Sequence, residues 1–372
     1  MFAVANIVER FADRFDFYVV AGNRNARQSS ERIAGVTENE WENIGSAKVF
    51  FTLTTSLNST KLLRLFDESR PDVVFLNSVF STPTIRFLRA RKTGNFLGVP
   101  VIIAPCGELM PEALAIKSWK KRTFLIYARG AGLYRGLIWR ASFESERKSI
   151  KAVFGEKVEV RIAADLTPKT ILPDFDASLK PEKRPGHSKF VFLARVVRNK
   201  NLHFFLERLR DIHEGKIEVE LIGPIEDKQY WDECLRLIGK LPANIRVTSI
   251  GAVNNAEALR RLTNAHFFVL PTLTENFGFV FIEALAAGCP LLISERTDWG
   301  RVEDAEAGWI LRLENRDAWR ERIVQCISLD QHEYNNISAA ARKLALNWFN
   351  EPGHEAATAE LLEEAVGSSE RQ

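Results

Sequence analysis

The chain reads HFFVLPTLTENFGFVFIEALAAGCPLLIS over residues 266–294. The apolar runs His266–Pro271 and Leu291–Ser294 predict short strands, because apolar runs of this length are typical of strands that are covered on both faces. Between them, Gly278 precedes a longer apolar run that ends before Pro290, which predicts a turn leading into a helix. A strand, a helix and a second strand joined so closely predict parallel strands connected by a crossover helix.

The same alternation of short apolar runs and amphipathic segments extends along the chain in both directions. Further strands are predicted at Asp16–Ala21, Asp72–Asn77, Pro100–Ala104, Val158–Ala163, Lys189–Arg195, Ile217–Gly223 and Ile245–Gly251. The segment 202–212 has the apolar spacing of an amphipathic helix. Buried strands separated by helices indicate an α/β fold. We expect two Rossmann-like domains, each with a doubly wound parallel sheet, that face a cleft.

The length of 372 residues also favours two domains, because a single hydrophobic core usually stops growing near about 250–300 residues. The predicted boundaries place an N-terminal domain at 1–168, a linker at 169–188, a C-terminal domain at 189–350, and a final helix with a polar tail at 351–372. The linker is assigned where a stretch rich in Pro, Lys and Asp interrupts the rhythm of strands.

The start of the chain departs from the usual order of elements. Phe2–Phe11 has a helical pattern and is followed by the predicted strand Asp16–Ala21. A doubly wound domain normally begins with a strand and a glycine turn, and neither precedes this helix. We expect either that Met1 lies inside a longer reading frame or that the protein is naturally shortened.

Composition excludes several classes of protein. Hydrophobic residues make up 46% and charged residues 27% of the chain, which excludes a largely disordered or fibrous protein. The four cysteines form neither a disulfide framework nor a zinc motif, and no apolar run reaches the ~18 residues of a membrane span. We therefore expect a cytoplasmic protein.

Residues 1–172 carry 26 Lys and Arg against 17 Asp and Glu, so this half is basic.

The turn before the predicted helix carries candidate ligand-binding residues. The N-terminus of a helix offers unpaired N–H groups and a partial positive charge, which suit a diphosphate. The residues at this turn and at the start of the predicted helix are Glu275, Asn276, Phe277, Gly278 and Phe279. Glu283 follows inside an apolar helix, where a carboxylate needs a donor such as a sugar or ribose hydroxyl. The alternative is structural, with a helix cap at Glu275 and a core hydrogen bond at Glu283.

A second candidate segment follows the predicted strand Lys189–Arg195. Arg195 and Lys200 lie at the carboxyl end of that strand, the edge at which such sheets bind ligands. The two cations could converge on phosphate oxygens. The alternative is an ordinary solvated basic loop.

Together these segments resemble glycosyltransferase family 4, the retaining GT-B enzymes that use sugar nucleotides, and in particular a polysaccharide-biosynthesis branch of it. The resemblance rests on Glu275 and Glu283 with seven residues between them, and on Arg195 with Lys200. It implies that Glu275 lies by the donor sugar and that Glu283 bonds the ribose. It also implies that Arg195 and Lys200 neutralise the leaving diphosphate, with no metal and no cofactor. The final helix is expected to return to the first domain.

The N-terminal half resembles the family less closely. Gly107 and Glu108 follow the predicted strand Pro100–Ala104 and are expected to contact the donor. Cys106 stands where many relatives have a histidine or arginine before this glycine, and a thiol cannot replace either donor. Asn77 is predicted either to face the acceptor or, with the residue that follows it, to cap a helix.

Residues 117–140 combine basic and aromatic side chains. The segment has no acidic residue, and its cations are Lys117, Lys120, Lys121, Arg122, Arg129, Arg135 and Arg140. This composition favours an anionic membrane surface or a lipid-diphosphate acceptor. The alternative is a helix with a solvated basic face and a packed aromatic face. No nucleic-acid motif accompanies the segment, so nucleic acid is not expected as a partner.

The resemblance implies transfer of a hexose from a nucleotide diphosphate sugar to a lipid-linked or polysaccharide acceptor, by a protein peripheral to the inner face of the membrane. The alternative is a non-catalytic relative that binds sugar nucleotides and assists assembly. Cys106 favours this alternative, and the complete set of Glu275, Glu283, Arg195 and Lys200 opposes it.

Overall fold

The structure is a computed structural model that describes residues 2–23, 33, 35–115, 118–168 and 180–369. Its contacts divide the chain into two units. The first comprises Met1–Lys169 together with Pro352–Gln372, and the second comprises Thr170–Glu351. The predicted linker residues 169–179 and Lys117 lie outside the described residues, whereas residues 187 and 188 of the predicted linker already belong to a strand.

Two sheets form in the first unit. Its strands are β1 (Phe17–Gly22), β2 (Trp41–Ile44), β3 (Ala47–Thr52), β4 (Val74–Asn77), β5 (Val101–Ala104), β6 (Ile138–Ala141) and β7 (Val160–Ile162). One sheet has the order β1-β3-β2, with β1 parallel and β2 antiparallel to β3. The other is parallel throughout, with the order β4-β5-β6-β7.

Helices cover these sheets. They are α1 (Phe2–Phe11), α2 (Ser59–Ser69), α3 (Thr82–Lys92), α4 (Pro111–Ala115), α5 (Ser118–Gly130) and α6 (Glu144–Phe154). The last helix of the chain, α14 (Pro352–Ser369), also belongs to this unit. Its residues Leu361, Leu362 and Ala365 pack in one apolar cluster with Phe11 and Ile102. The end of the chain is therefore part of the first unit's core.

The second unit contains one parallel sheet. Its strands are β8 (His187–Leu193), β9 (Lys216–Ile222), β10 (Ile245–Gly251), β11 (Phe267–Leu270), β12 (Leu291–Ser294) and β13 (Gly308–Leu311). They have the order β10-β9-β8-β11-β12-β13. Numbered within this unit, that order is 3-2-1-4-5-6, which is the Rossmann order, and it reverses direction between β8 and β11.

The remaining helices lie between these strands or follow the last of them. They are α7 (Leu202–Leu209), α8 (Lys228–Ile238), α9 (Asn255–Thr263), α10 (Phe279–Ala286), α11 (Arg301–Asp304), α12 (Arg316–Ser328), α13 (Gln331–Phe349) and, in the first unit, α14 (Pro352–Ser369). Every residue of β11 and β12 is buried, as expected for strands covered by helices on both faces.

One cation of the predicted basic segment does not lie on the surface. The basic segment 117–140 ends inside β6, and the side chain of Arg140 is 5% exposed. Its Nη1 lies 2.8 Å from Oδ1 of Asp165, and the carboxylate also accepts a hydrogen bond from the hydroxyl of Ser142. A guanidinium held in a buried ion pair is not available to a lipid surface. Within the described ranges, no helix is long and apolar enough to cross a membrane.

Candidate functional site

The reversal of strand order in the second unit brings the two sequence motifs together. Parallel β8 and β11 are neighbours in the sheet, so the segments that follow them leave the same edge side by side. Arg195 and Lys200 lie in the segment after β8, and the turn Glu275–Gly278 lies in the segment after β11. In open α/β sheets this edge, at the point of reversal, is where ligands bind.

The two segments are joined by hydrogen bonds at Asn199. Its carbonyl oxygen accepts hydrogen bonds from the hydroxyl of Thr272 at 3.1 Å and from the N–H of Leu273 at 2.8 Å. Its side-chain amide donates to the carbonyl oxygen of Thr274 at 3.3 Å. The basic turn and the turn before α10 are therefore held as one framework, which limits the independent motion of Lys200 and Glu275.

The side chains of Lys200 and Glu275 form an ion pair across this junction. They are only 12% and 17% exposed, so water screens the pair less than it screens a surface pair. The pairing requires these two motif residues, 75 positions apart in the sequence, to lie at the same point of the sheet edge.

Arg195 has a partner that the sequence analysis did not identify. Its Nη1 donates to Oε2 of Glu226 at 2.5 Å, and the Glu226 side chain is 12% exposed. Glu226 lies after β9, close behind Gly223, where a Cβ atom would approach the carbonyl oxygen of Ala194 to 2.1 Å. The glycine therefore lets the segments after β8 and β9 meet. A signal for this partner was present in the sequence. Gly223 is typical of a close approach between backbone segments, and the acidic Glu226 follows it by three residues.

The turn before α10 requires Gly278. This residue has φ +73°, and an added Cβ would lie 2.5 Å from the ring of Phe281. Helix α10 begins at the next residue, Phe279, and the first N–H groups of a helix have no acceptor within it. Phe277 is buried, and its carbonyl oxygen accepts a hydrogen bond from Nε1 of Trp299 at 2.7 Å. Asn276 is half-buried beside it.

Glu283 lies in the second turn of α10 and is half-buried. Burial raises the pKa of its carboxyl group from the ordinary 4.5 to about 7. Across the part of the chain that the structure describes, its carboxylate has no hydrogen-bond or ion-pair partner. The core hydrogen bond that was the structural alternative at this position is therefore not formed by the described residues. A hydroxyl-bearing ligand would satisfy the carboxylate.

The candidate residues of the first unit have internal partners. The N–H of Gly107 donates to Oε1 of Glu146 at 2.6 Å. The carboxylate of Glu108 accepts hydrogen bonds from the hydroxyl of Ser78 at 2.8 Å and from the N–H of Val79 at 2.7 Å. Gly107 thus ties the segment after β5 to α6, and Glu108 ties it to the segment after β4. Contact of either residue with a donor stays a prediction.

Cys106 lies two residues after β5 with φ +53°, and its Sγ lies 3.5 Å from the carbonyl oxygen of Ala104. Desolvation by the surrounding protein, followed by the nearby charge of Asp165, raises the pKa of its thiol to about 12. Since the thiolate is the nucleophilic form, this environment does not activate the sulfur. Among the residues the structure describes, no group of three or more His, Cys, Asp or Glu side chains could hold a metal ion.

Comparison with known proteins finds a family match within the second unit and several similar proteins. The family of glycosyl transferases group 1 matches residues 174–344. The chain is similar to the capsular polysaccharide biosynthesis glycosyltransferase CapM of Staphylococcus aureus, with 29% identity over 162 residues, 43% of this chain and 41% of CapM. It is also similar to the putative colanic acid biosynthesis glycosyltransferase WcaL of Salmonella typhimurium, with 24% identity over 194 residues, 49% of this chain and 46% of WcaL. The chain thus spans less than half the length of either relative.

A solved structure matches nearly the whole chain. Anabaena HepE, determined in complex with UDP and glucose, has a TM-score of 0.68 and 16% identity, and the match covers 97% of this chain and 95% of HepE. At this identity the likeness shows the fold, and it confirms the predicted GT-B architecture of two Rossmann-like units. The chain thus has the GT-B fold, and its second unit is similar to the glycosyl transferases of group 1.

Proposed function

We propose that this protein is a retaining glycosyltransferase of family 4 that transfers a hexose from a nucleotide diphosphate sugar to a lipid-linked or polysaccharide acceptor. The observation that carries the proposal is Glu283. Its carboxylate is half-buried and unpartnered in the described residues, one turn inside the helix that follows the Lys200–Glu275 junction. A carboxylate left in this state is stabilised by a ligand that supplies hydroxyl donors, as a ribose does.

The diphosphate would bind at the start of α10. Arg195 and Lys200 supply two positive charges at the carboxyl end of β8, and the N–H groups at Phe279 and Val280 add the partial charge of the helix N-terminus. Charges fixed in place before the reaction stabilise the negative charge that develops on a leaving diphosphate. Because these groups would neutralise the leaving group, we propose that the transfer does not need a metal ion.

Lys200 must then change partners during the reaction. In the free protein its ammonium pairs with Glu275. When the diphosphate binds, the ammonium turns to the phosphate oxygens, and the carboxylate of Glu275 becomes available to accept hydroxyls of the donor sugar. One ion pair would thus keep both groups in position until the donor arrives.

The relatives support the classes of donor and acceptor. HepE was determined with UDP and glucose. CapM is named for capsular polysaccharide biosynthesis and WcaL for colanic acid biosynthesis. We propose a UDP-hexose or a similar nucleotide sugar as donor, and a saccharide that is free or linked to a lipid as acceptor, bound by the first unit. Synthesis of such polymers would place the protein in the cytoplasm at the inner face of the membrane.

A non-catalytic sugar-nucleotide-binding protein is the second candidate. The observation in its favour is Cys106, whose thiol has a pKa raised to about 12 and stands where family members present a charged or imidazole donor. This candidate would keep donor binding at Glu283 and would lack hexosyl transfer.

A thermal-shift screen of nucleotide sugars tests the proposal, because a ligand that binds only the folded state raises the melting temperature. We expect a rise with at least one nucleotide diphosphate hexose and a smaller rise with the free nucleotide. The nucleotide sugar found in this way is then assayed for release of nucleotide with lipid-linked and oligosaccharide acceptors. Binding without release in the presence of every acceptor supports the second candidate, and the absence of any shift contradicts both.

A further inference from the structure

Helix α5 buries one side and exposes large apolar side chains on the other. Leu125 and Ala128 are 6% and 0% exposed and belong to the core of the first unit. Trp119, Ile126 and Tyr127 are instead 69%, 74% and 54% exposed. A surface helix normally turns polar residues to water. Helix α5 therefore has a second apolar face that the described chain leaves uncovered.

The three exposed apolar residues form a continuous ridge. Trp119 and Ile126 are seven positions apart, which places them on the same side of the helix two turns from each other. Tyr127 adjoins Ile126 and extends the ridge sideways. Aromatic residues with a polar tip are enriched where a protein meets the interface of a bilayer, since the ring lies in the apolar layer and the tip remains hydrated.

Exposed cations border this ridge on both sides. Arg122 and Arg129, again seven positions apart, lie along one border, and Lys120 lies along the other. Helix α5 itself contains no acidic residue. Cations along the borders of an apolar face match the negative headgroups around apolar side chains that enter an anionic bilayer.

The positive charge extends beyond the helix. Residues 73–143 contain eleven Lys and Arg but only two acidic residues. One of the two, Glu108, already accepts hydrogen bonds from Ser78 and Val79. Nη1 of Arg91, at the end of α3, donates to the carbonyl oxygen of Arg135 at 3.0 Å. This contact joins a second basic segment to the loop after α5.

Some predicted lipid contacts are absent from this face. Lys121 is half-buried, and its ammonium donates to the carbonyl oxygen of Ala113 at 2.6 Å. Arg140 is buried with Asp165. Three cations of α5, Lys120, Arg122 and Arg129, therefore remain exposed on this face.

We propose that the exposed face of α5 docks onto an anionic phospholipid bilayer by inserting Trp119, Ile126 and Tyr127 between headgroups that Lys120, Arg122 and Arg129 attract. Ile126 in the centre of the face favours a bilayer over a nucleic acid, because an aliphatic side chain gains nothing from a phosphate backbone. High salt weakens the cation contacts but leaves the inserted ridge, so salt lowers binding without abolishing it. The inference rests on α5 and the basic residues around it in the first unit, and it does not depend on the proposed transfer.

Co-sedimentation with phosphatidylcholine vesicles, with or without phosphatidylglycerol, tests the docking surface. We expect the full chain to bind the anionic vesicles. A ridge variant with Trp119, Ile126 and Tyr127 changed to Ser should bind them more than about tenfold more weakly. A charge variant with Lys120, Arg122 and Arg129 changed to Gln should lose the preference for anionic lipid, because each cation near the surface contributes about a fivefold increase in binding.

Matched variants elsewhere control for the loss of surface charge and apolar area. Changing the exposed Arg236, Lys240 and Arg246 of the second unit to Gln removes the same charge. Changing Leu97, which is 77% exposed, to Ser removes an apolar side chain outside α5. Both controls should bind vesicles like the unchanged protein, and thermal melting should show that every variant folds.

Quenching of tryptophan fluorescence by brominated lipid reports insertion directly. The unchanged protein should be quenched more than Trp119→Phe, which retains an aromatic ring at that position. The proposal is overturned if the protein does not bind anionic vesicles, or if the folded ridge variant binds them like the unchanged protein. It is also overturned if the control charge variant loses vesicle binding while the α5 charge variant keeps it. Retention on immobilised RNA with no vesicle binding would also overturn it, in favour of a nucleic-acid surface.

Discussion

Lys200 and Glu275 form an ion pair that joins the basic turn after β8 to the turn before α10. The pair lies beside Asn199, whose backbone and side chain hold the same two turns together. Two groups with opposite charge and little exposure stabilise each other in the free protein. When one partner is removed or binds another group, the charge that remains is poorly solvated and unpaired, which destabilises the folded protein. This relationship makes the site sensitive both to substitution and to the arrival of an anion.

Substitution of Arg195 or Lys200 by Ala should impair turnover. Each change removes a positive charge from the proposed diphosphate site, and we expect a loss of ~2–4 kcal/mol of transition-state stabilisation from each. Arg198→Ala is the matched control, because Arg198 lies in the same turn but is 55% exposed and pairs with Glu233. Steady-state kinetics with the nucleotide sugar gives the comparison. Wild-type rates in both variants would show that the phosphate-binding residues are misassigned.

Glu226 should act through Arg195. Its carboxylate lies 2.5 Å from the guanidinium, so Glu226→Gln keeps the shape of the side chain but weakens its hold on Arg195. We expect a smaller loss in kcat/KM than Arg195→Ala causes, and little further loss when both changes are combined, since the effects of residues in contact are not additive. A double-mutant cycle measures this coupling. Additive losses would mean that Glu226 contributes independently of Arg195.

The stability of the free protein should depend on the ionisation of Glu283. Burial raises its pKa in the folded state from 4.5 to about 7. The folded state therefore holds the proton more tightly than the unfolded state does, so protonation of Glu283 favours folding. This contribution to the free energy of unfolding is complete below pH 4.5 and is lost as the pH rises through 7. Glu283→Gln removes this loss, so at pH 8 the variant should be more stable by up to ~3 kcal/mol. Urea unfolding at pH 5 and pH 8 measures the difference, and destabilisation at both pH values would indicate a structural role.

The same variant should bind the nucleotide sugar more weakly. Hydroxyl donors stabilise the charged carboxylate and lower its pKa in the complex, so binding releases a proton and strengthens as the pH rises through about 7. Calorimetry in buffers with different ionisation enthalpies detects that proton, and the Gln variant should not release it. Equal affinity in the two proteins would remove Glu283 from the site.

Chelators should leave the transfer intact. Arg195, Lys200 and the start of α10 would neutralise the leaving diphosphate without a divalent ion. Activity measured with EDTA should therefore match the untreated protein, and added magnesium or manganese should change it little. Complete inhibition by EDTA that a divalent ion reverses would contradict this mechanism.

The sequence located most strands because buried parallel strands are short apolar runs. The predicted strand Ile245–Gly251 coincides with β10, and Leu291–Ser294 coincides with β12. Strands β2 and β3 were not predicted, although Gly45 and Ser46 separate them by only two residues, a spacing typical of a hairpin. Strand β6 was read as part of a basic surface because its Arg140 has a charge, and only the fold supplies Asp165 to bury it.

The sequence by itself determined that this chain builds parallel α/β units and that Glu275, Glu283, Arg195 and Lys200 are the candidates for a sugar-nucleotide site, because strand periodicity and helix signals are local properties of the chain. The tertiary structure alone decided which of these groups meet. The order of the strands places the segments after β8 and β11 side by side, pairs Lys200 with Glu275, gives Arg195 its partner Glu226, and leaves the carboxylate of Glu283 without one among the described residues. Such contacts join residues tens of positions apart, so they depend on strand order and packing, which no local pattern encodes.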